Sequence, residues 1–154
     1  MAISKDAILG DPVSAYTEGA RVYHDANQTI ASATNTILAF NSERFDTDTI
    51  HDTVTNNSRL TCKTAGKYLI IGSIKWQSTS AGNYRRTQIY LNGATSIAEA
   101  NIGPENEWQI TVSCIYDLAV NDYVEIRVIQ DSGVSLTVNS VANSSPEFMI
   151  QRIG

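Results

Sequence analysis

Hydrophobic residues recur at every second position over short segments of this chain, whereas the three- and four-residue spacing of a helix is almost absent. Because successive side chains of a β-strand point to opposite faces, this period predicts strands. Ten segments show it: Ala20–His24, Thr36–Asn41, Arg59–Cys62, Lys67–Gln77, Tyr84–Leu91, Thr95–Asn101, Trp108–Leu118, Tyr123–Gln130, Ser135–Val138 and Glu147–Ile153.

Reversals rich in Asn, Asp and Gly separate these segments. Clear examples are Thr64–Gly66, Leu91–Gly93, Val120–Asp122 and Asp131–Gly133, whose residues tolerate positive φ or cap the backbone with a side chain. About ten short strands at this spacing are typical of antiparallel sandwiches. We therefore predict an all-β fold, an antiparallel jelly-roll sandwich of about ten strands.

Some predicted strands have one apolar and one polar face. Within Trp108–Leu118 the outward residues include Gln109 and Thr111, which indicates a strand with one face in water. The residues predicted to point inward are Trp108, Ile110, Val112, Cys114, Tyr116 and Leu118.

Three strands are instead apolar on both faces. Lys67–Gln77, Tyr123–Gln130 and Glu147–Ile153 each place two large apolar side chains opposite their core-facing residues. If the three strands share one sheet, its outer face is an extended apolar patch, which monomers rarely leave exposed. Cover from within the chain and scattered surface hydrophobes are the alternatives. The pattern favours a subunit interface formed by Leu69, Ile71, Tyr123, Ile129, Met149 and Ile153.

Composition limits the kinds of partner. Hydrophobic residues make up 42% of the 154 residues and charged residues 18%, as in a packed single domain that needs no metal or disulfide. The net charge of −5 argues against a nucleic-acid partner, and no apolar run approaches the ~20 residues of a membrane span. Residues 1–12 lack the pattern of a signal peptide, so we expect synthesis in a cytosol and free, buried thiols at Cys62 and Cys114.

Residues 1–19 precede the first convincing strand and carry scattered apolar residues before a break at Gly10–Pro12. Such a segment usually frays, and it is ordered more easily on a partner. We therefore predict an N-terminal anchoring arm over residues 1–19 and a jelly-roll domain over residues 20–154. The anchoring residues would be Ile3, Ile8 and Leu9. The alternative is an arm that packs on its own domain.

The strongest candidate for a metal site is an acidic segment. Asp46, Asp48 and Asp52 could offer carboxylate oxygens to a hard cation such as calcium. The spacing lacks the glycine and the bidentate acid of an EF-hand loop, so side chains that cap turns are the preferred interpretation. We predict no metal and no other cofactor.

Candidates for catalysis are few. The two histidines, His24 and His51, lie in no motif that would activate a Ser or Cys nucleophile. Glu99, Glu105 and Glu107 could supply a carboxylate pair for glycoside cleavage, but their placement is more typical of surface charge. We therefore predict that the protein is not an enzyme.

Aromatic side chains could instead bind sugars. Trp76 and Trp108 share the parity of core residues and are predicted to be buried. Tyr84, Tyr90 and the loop Thr79–Asn83 are the better surface candidates. Jelly rolls often serve as lectins or receptor-binding tips, so a binding module is an alternative function.

Several spacings resemble the complement 1q-type globular domain. The segment Leu60–Ile70, which ends in Gly-x-Tyr-x-Ile, resembles a core motif in which a Phe precedes Gly-x-Tyr-x-Phe. The turn Leu118–Val124 resembles that family's Leu-x-x-Gly-Asp-x-Val, and Asp48 falls at its Asn/Asp position. Phe148–Ile150 resembles its short final strand. The resemblance covers roughly residues 20–154.

A second resemblance is to bacteriophage and prophage proteins with segments like Ala20–Tyr23 (ARVY), Phe45–Asp48 (FDTD) and His51–Asp52. Both resemblances imply a ten-stranded jelly roll that associates as a threefold-symmetric homotrimer, as tumour necrosis factor relatives also do. Some trimers of this type hold calcium near the axis.

These resemblances imply a non-enzymatic virion structural protein. The predicted role is a trimeric capsid decoration (cement) protein, made in the host cytoplasm and located on the surface of a phage head. Its partners would be its own copies and the major capsid protein or another virion protein, with no nucleic acid and no membrane. The alternative is a phage fibre or spike module that binds a glycan or protein receptor on the host surface.

Overall fold

Twelve β-strands form the part of the chain that the computed structural model describes, residues 17–104 and 109–154. Within these residues, no helix has the length and apolar character that crossing a membrane requires. The strands are β1 (Gly19–Tyr23), β2 (Gln28–Ile30), β3 (Thr36–Ile37), β4 (Ser42–Asp46), β5 (Arg59–Thr61), β6 (Gly66–Lys75), β7 (Arg85–Leu91), β8 (Thr95–Ile102), β9 (Gln109–Leu118), β10 (Tyr123–Gln130), β11 (Leu136–Val138) and β12 (Glu147–Arg152).

The strands form two antiparallel sheets that enclose one core. Sheet I has the order β4-β1-β12-β6-β9. Sheet II has the order β3-β10-β7-β8, and β5 pairs with β10 beside β3. A short ribbon of β2 and β11 joins sheet I through a bridge between Trp76 and Val138. This arrangement confirms the predicted antiparallel jelly-roll sandwich.

The core is built from one face of each sheet, as the period of two predicts. Gly72 of β6 sets the distance between the sheets at one point, because a Cβ added there would lie 2.6 Å from Cδ1 of Ile126 in β10. Glycine therefore permits a close approach at this point. The buried side chains include Tyr68, Ile70, Ile74, Ile110, Val112, Phe148 and Ile150 from sheet I and Leu60, Ile89, Val124, Ile126 and Val128 from sheet II.

Two strands, β2 and β4, were not predicted from the pattern. β4 reads Ser-Glu-Arg-Phe-Asp and has no alternating apolar side chains; its pairing with β1 determines its conformation. The predicted strand Thr36–Asn41 is a strand only over Thr36–Ile37, although Leu38 and Phe40 beyond it belong to the core. Burial of these two side chains thus does not require a strand.

The predicted inward face of β9 is confirmed only in part. Ile110, Val112 and Leu118 are buried, whereas Cys114 is half-buried and Tyr116 is 36% exposed. β9 is an edge strand of sheet I, so its side chains have a neighbouring strand on one side only. The predicted burial of Trp108 concerns a residue outside the described ranges.

The predicted anchoring arm lies almost entirely outside the described residues, and Ile3, Ile8 and Leu9 are among the residues not described. β1 begins at Gly19, one residue before the predicted start of the jelly-roll domain. The anchoring role of the arm stays a prediction.

Candidate interaction surfaces

The outward side of sheet I carries a group of apolar side chains, in which Arg21 of β1 lies between Phe45 and Met149. Met149 of β12 lies opposite Ile71 of β6, and Leu69 lies opposite Ile115 of β9. Phe45 of β4 lies at the other edge, in the same row as Met149. Side chains opposite each other on antiparallel strands have Cβ atoms about 5 Å apart, so neighbouring members can touch. We call these five residues the apolar face.

The apolar face is open to solvent and partly concave. Phe45 is 45% exposed and Ile115 is 62% exposed, while Leu69, Ile71 and Met149 are half-buried. A cleft of about 260 Å³ lies among Phe45, Leu69, Ile71 and Met149. A concave apolar surface of this kind can accept a protruding side chain of another molecule.

A buried carboxylate closes one end of this face. Glu147, whose side chain is 2% exposed, contacts Arg21 at 2.5 Å and Arg44 at 3.0 Å. Arg44 also stacks over the ring of Tyr23, with its guanidinium carbon 4.0 Å from the centroid. The two arginines satisfy the carboxylate that would otherwise be buried without a partner. The ion pairs therefore give the apolar face an ordered, polar boundary.

Four of the six predicted interface residues lie on the outward side of sheet I. Leu69, Ile71 and Met149 belong to the apolar face, and Ile153, which is 42% exposed, follows β12 next to Lys67 of β6. Their role as an interface stays a prediction.

Tyr123 and Ile129 do not join this group, because β10 pairs with β7, β5 and β3 in sheet II. The condition that all three two-faced strands share one sheet is therefore met by β6 and β12 and not by β10. The pattern of alternation shows which residues share a face of a strand, but it does not show which sheet a strand enters.

The outward side of sheet II is a layer of arginine and tyrosine side chains. Stacking on a tyrosine ring orders each arginine, since a cation over an aromatic face is attracted to it. The pairs are Arg59 on Tyr123 at 4.0 Å, Arg127 on Tyr90 at 4.1 Å and Arg86 on Tyr84 at 5.3 Å. The rings of Tyr84, Tyr90 and Tyr123 are half-buried.

The acidic segment caps turns, as predicted. Asp46 Oδ1 accepts hydrogen bonds from the backbone N–H groups of Asp48 at 3.1 Å and Ile50 at 3.0 Å, and Oδ2 accepts one from His51 at 2.8 Å. Asp52 accepts from two further backbone N–H groups, and these bonds lower the pKa of Asp52 below its ordinary value. Within the described ranges, no three His, Cys, Asp or Glu side chains are grouped as metal ligands.

The histidines are engaged with other partners. His51 Nδ1 lies 2.9 Å from Glu43 Oε1, and its Nε2 lies 3.1 Å from the carbonyl of Asn57. His24 Nδ1 lies 2.9 Å from the carbonyl of Ala26. Neither ring is hydrogen-bonded to a Ser or Cys side chain in the part of the chain that the structure describes, so no activated nucleophile is assembled there.

The remaining catalytic candidates are the glutamates and the two cysteines. Glu99 contacts Arg86 at 3.3 Å and accepts a hydrogen bond from Gln88, while Glu105 and Glu107 lie outside the described residues. The two cysteines are free thiols; Cys62 is buried and Cys114 is half-buried. Burial raises the pKa of both thiols, which keeps them protonated and opposes reactivity.

Comparison with known proteins gives a fold. No protein-family profile and no curated protein matches this chain. Among solved structures, the globular domain of zebrafish complement 1qA superposes with a TM-score of 0.60 and 12% identity, covering 89% of this chain and 98% of that chain. The Eiger tumour necrosis factor from S. frugiperda superposes with a TM-score of 0.66 and 8% identity, covering 89% and 92%.

The chain has the complement 1q and tumour necrosis factor jelly-roll fold. This result confirms the part of the sequence resemblance that concerned the fold. At 8–12% identity the likeness is one of fold alone.

Sequence reasoning missed two members of the apolar face. Ile115 is the one aliphatic side chain on the outward side of β9, and it could have been found as the exception in a polar set. Phe45 stands among charged residues in β4 and gives no periodic signal. Its place on the apolar face depends on the pairing of β4 with β1, which is a long-range contact.

Proposed function

We propose that the protein is a non-enzymatic binding and structural module that assembles as a homotrimer through the apolar face of sheet I. The observation that carries this proposal is the apolar face itself: five large apolar side chains, four of them around a cleft, that are partly exposed in the single chain. Contiguous exposed apolar surface usually marks an interface between subunits.

The two edges of sheet I differ in a way that suits a closed ring. Ile115 protrudes from the edge strand β9, whereas the cleft lies at the side of the sheet formed by β4, β1, β12 and β6. A rotationally symmetric trimer uses two different patches of each subunit in every contact. A protruding edge and a cleft on one sheet are such a pair.

We further propose that this trimer is part of a phage particle, as a capsid decoration protein at threefold positions of the head. Support comes from the segments that resemble phage proteins, since Ala20–Tyr23 forms most of β1 and Phe45–Asp48 ends β4 and begins the capped turn. These segments pair with each other, and Arg21 and Phe45 line the cleft. The phage-like residues thus belong to the structural unit beside the proposed interface.

In this proposal the trimer stabilises the capsid by binding several of its subunits at once. Three arms, residues 1–19 of each copy, would bind neighbouring copies of the major capsid protein through Ile3, Ile8 and Leu9. Linked contacts combine through effective concentration, so three weak sites hold the trimer far more tightly than one. The protein would be made in the host cytoplasm and function on the capsid surface.

The alternative is a fibre or spike module that binds a receptor on the host surface. The arginine–tyrosine layer of sheet II favours it, because this layer stays free when sheet I forms the trimer. Tyr and Arg are enriched at the energetic centres of binding interfaces.

Removing residues 1–16 separates the two roles, because it leaves every described strand intact. The truncated chain should stay trimeric and fail to sediment with capsids of the encoding phage that lack their decoration protein. The full-length chain should sediment with them. Equal binding of both chains would overturn the anchoring role, and binding of both chains to host cells would favour the spike.

A further inference from the structure

A second cleft, of about 320 Å³, lies away from the apolar face, where the loop of residues 49–56 meets β5 and Lys63. Its lining is polar. Six of the residues that line it carry hydroxyl, amide or cationic side chains: Thr49, Thr55, Asn56, Thr61, Arg59 and Lys63. Ile50, His51 and Asp52 complete the lining.

Six of the polar side chains that line this cleft have no hydrogen-bond partner among the described residues. In the part of the chain that the structure describes, none of these six side chains makes a hydrogen bond or an ion pair. The acid in the cleft, Asp52, is engaged, because its Oδ1 accepts from the N–H groups of Val54 and Thr55 at 2.8 Å each. The hydrogen-bonding groups of the six side chains are therefore available to solvent or to a ligand in the cleft.

The guanidinium group of Arg59 is oriented by the ring of Tyr123. Its guanidinium carbon lies 4.0 Å from the centroid of the Tyr123 ring, and stacking fixes the plane of the group. The N–H groups at the edge of a stacked guanidinium remain free to bind a carboxylate in two parallel hydrogen bonds. With Lys63, the cleft presents two cations against one carboxylate, in a chain whose net charge is −5.

The loop that forms the cleft has an unusual backbone. Thr49 and Asn56 both have φ of 54°, and a β-branched residue with positive φ is a genuine outlier. The backbone N–H groups of Ile50 and Val54, which donate to Asp46 and Asp52, hold the loop in this conformation. Strained residues fixed in this way are concentrated at ligand sites.

We propose that this cleft binds an acidic monosaccharide unit, a sugar ring that carries a carboxylate. Arg59 and Lys63 would bind the carboxylate, and the threonine and asparagine side chains would bind ring hydroxyl groups. The cleft volume is at the lower end of the roughly 300–1,000 Å³ of ligand pockets, which leaves room for one ring. The inference holds whether or not the chain assembles on capsids.

Titration of the ¹⁵N-labelled full chain with glucuronic acid tests it, with glucose and inorganic phosphate as matched probes. Glucuronic acid should shift the amide signals of residues 49–63. Its dissociation constant should be at least tenfold lower than that of glucose or phosphate. Arg59→Gln and Lys63→Gln should each weaken binding about tenfold, the scale of one lost charged hydrogen bond. Arg86→Gln, which removes another tyrosine-stacked arginine, and Lys67→Gln should leave it unchanged.

Three results would overturn the proposal. They are equal affinity for glucose and glucuronic acid, binding of phosphate as tight as that of glucuronic acid, and no shift in residues 49–63 with any probe. Lys63 is exposed and makes no contact that the fold needs, so Lys63→Gln keeps the test decisive if Arg59→Gln does not fold.

Discussion

Replacing Leu69 and Ile71 together with serine should dissociate the trimer and leave the single chain folded. Both side chains are half-buried in the chain and point away from its core. Full burial of a Leu or Ile side chain stabilises by about 1.5–3 kcal/mol, so burial of the remaining half contributes roughly 1 kcal/mol for each. A trimer contains six such side chains, which gives about 6 kcal/mol.

A loss of about 6 kcal/mol lowers the assembly constant about 10⁴-fold, since 1.4 kcal/mol corresponds to a factor of ten. Sedimentation velocity over a concentration series measures this change, and circular dichroism with urea unfolding reports whether the chain is folded. The variant should sediment as a folded monomer at concentrations where the unmodified chain is a trimer.

Ile129→Ser is the matched control, because Ile129 is also half-buried and outward-facing but lies in sheet II. It should leave the trimer intact. A trimer that survives both serine substitutions in sheet I, or one that dissociates with Ile129→Ser, would refute the assignment of the interface to sheet I.

Three further predictions concern the single chain. Gly72→Ala should cost about 1–3 kcal/mol in urea unfolding by overpacking against Ile126, and adding Ile126→Val should cost less than the sum of the two; strict additivity would contradict the close contact. Backbone N–H groups hold the pKa of Asp131 below its ordinary 3.8, so its carboxylate adds stability that is lost as the pH falls through the lowered folded value. In Asp131→Asn, the urea midpoint should therefore depend less on pH over that range. An unchanged dependence would show that Asp131 does not cause the loss of stability in acid. Arg44→Ala should cost about 1 kcal/mol, because Glu147 stays buried with one cation; a more stable variant would argue against the ion pair.

The faces of individual strands could be predicted from the sequence because alternation is a local property. The pattern of Lys67–Gln77 places Tyr68, Ile70 and Ile74 in the core and Leu69 and Ile71 outside it, as the structure shows. Capping by Asp46 was also predictable, since a short acidic side chain before a turn bonds to nearby N–H groups.

Sheet membership was not predictable, because it depends on contacts between distant parts of the chain. β10 has the same two-faced pattern as β6, but its outward Tyr123 supports Arg59 in sheet II. Phe45 joins the apolar face only through pairing of β4 with β1 across a register shift between Arg21 and Val22. No local period in the sequence indicates such contacts.

The mass of the purified chain in solution, from light scattering coupled to size exclusion at physiological salt, tests the central claim most directly. Assembly through the apolar face predicts three times 16.8 kDa. A stable species of 16.8 kDa over the whole concentration range would contradict the trimer, and it would leave Leu69, Ile71 and Met149 exposed to solvent without a partner copy.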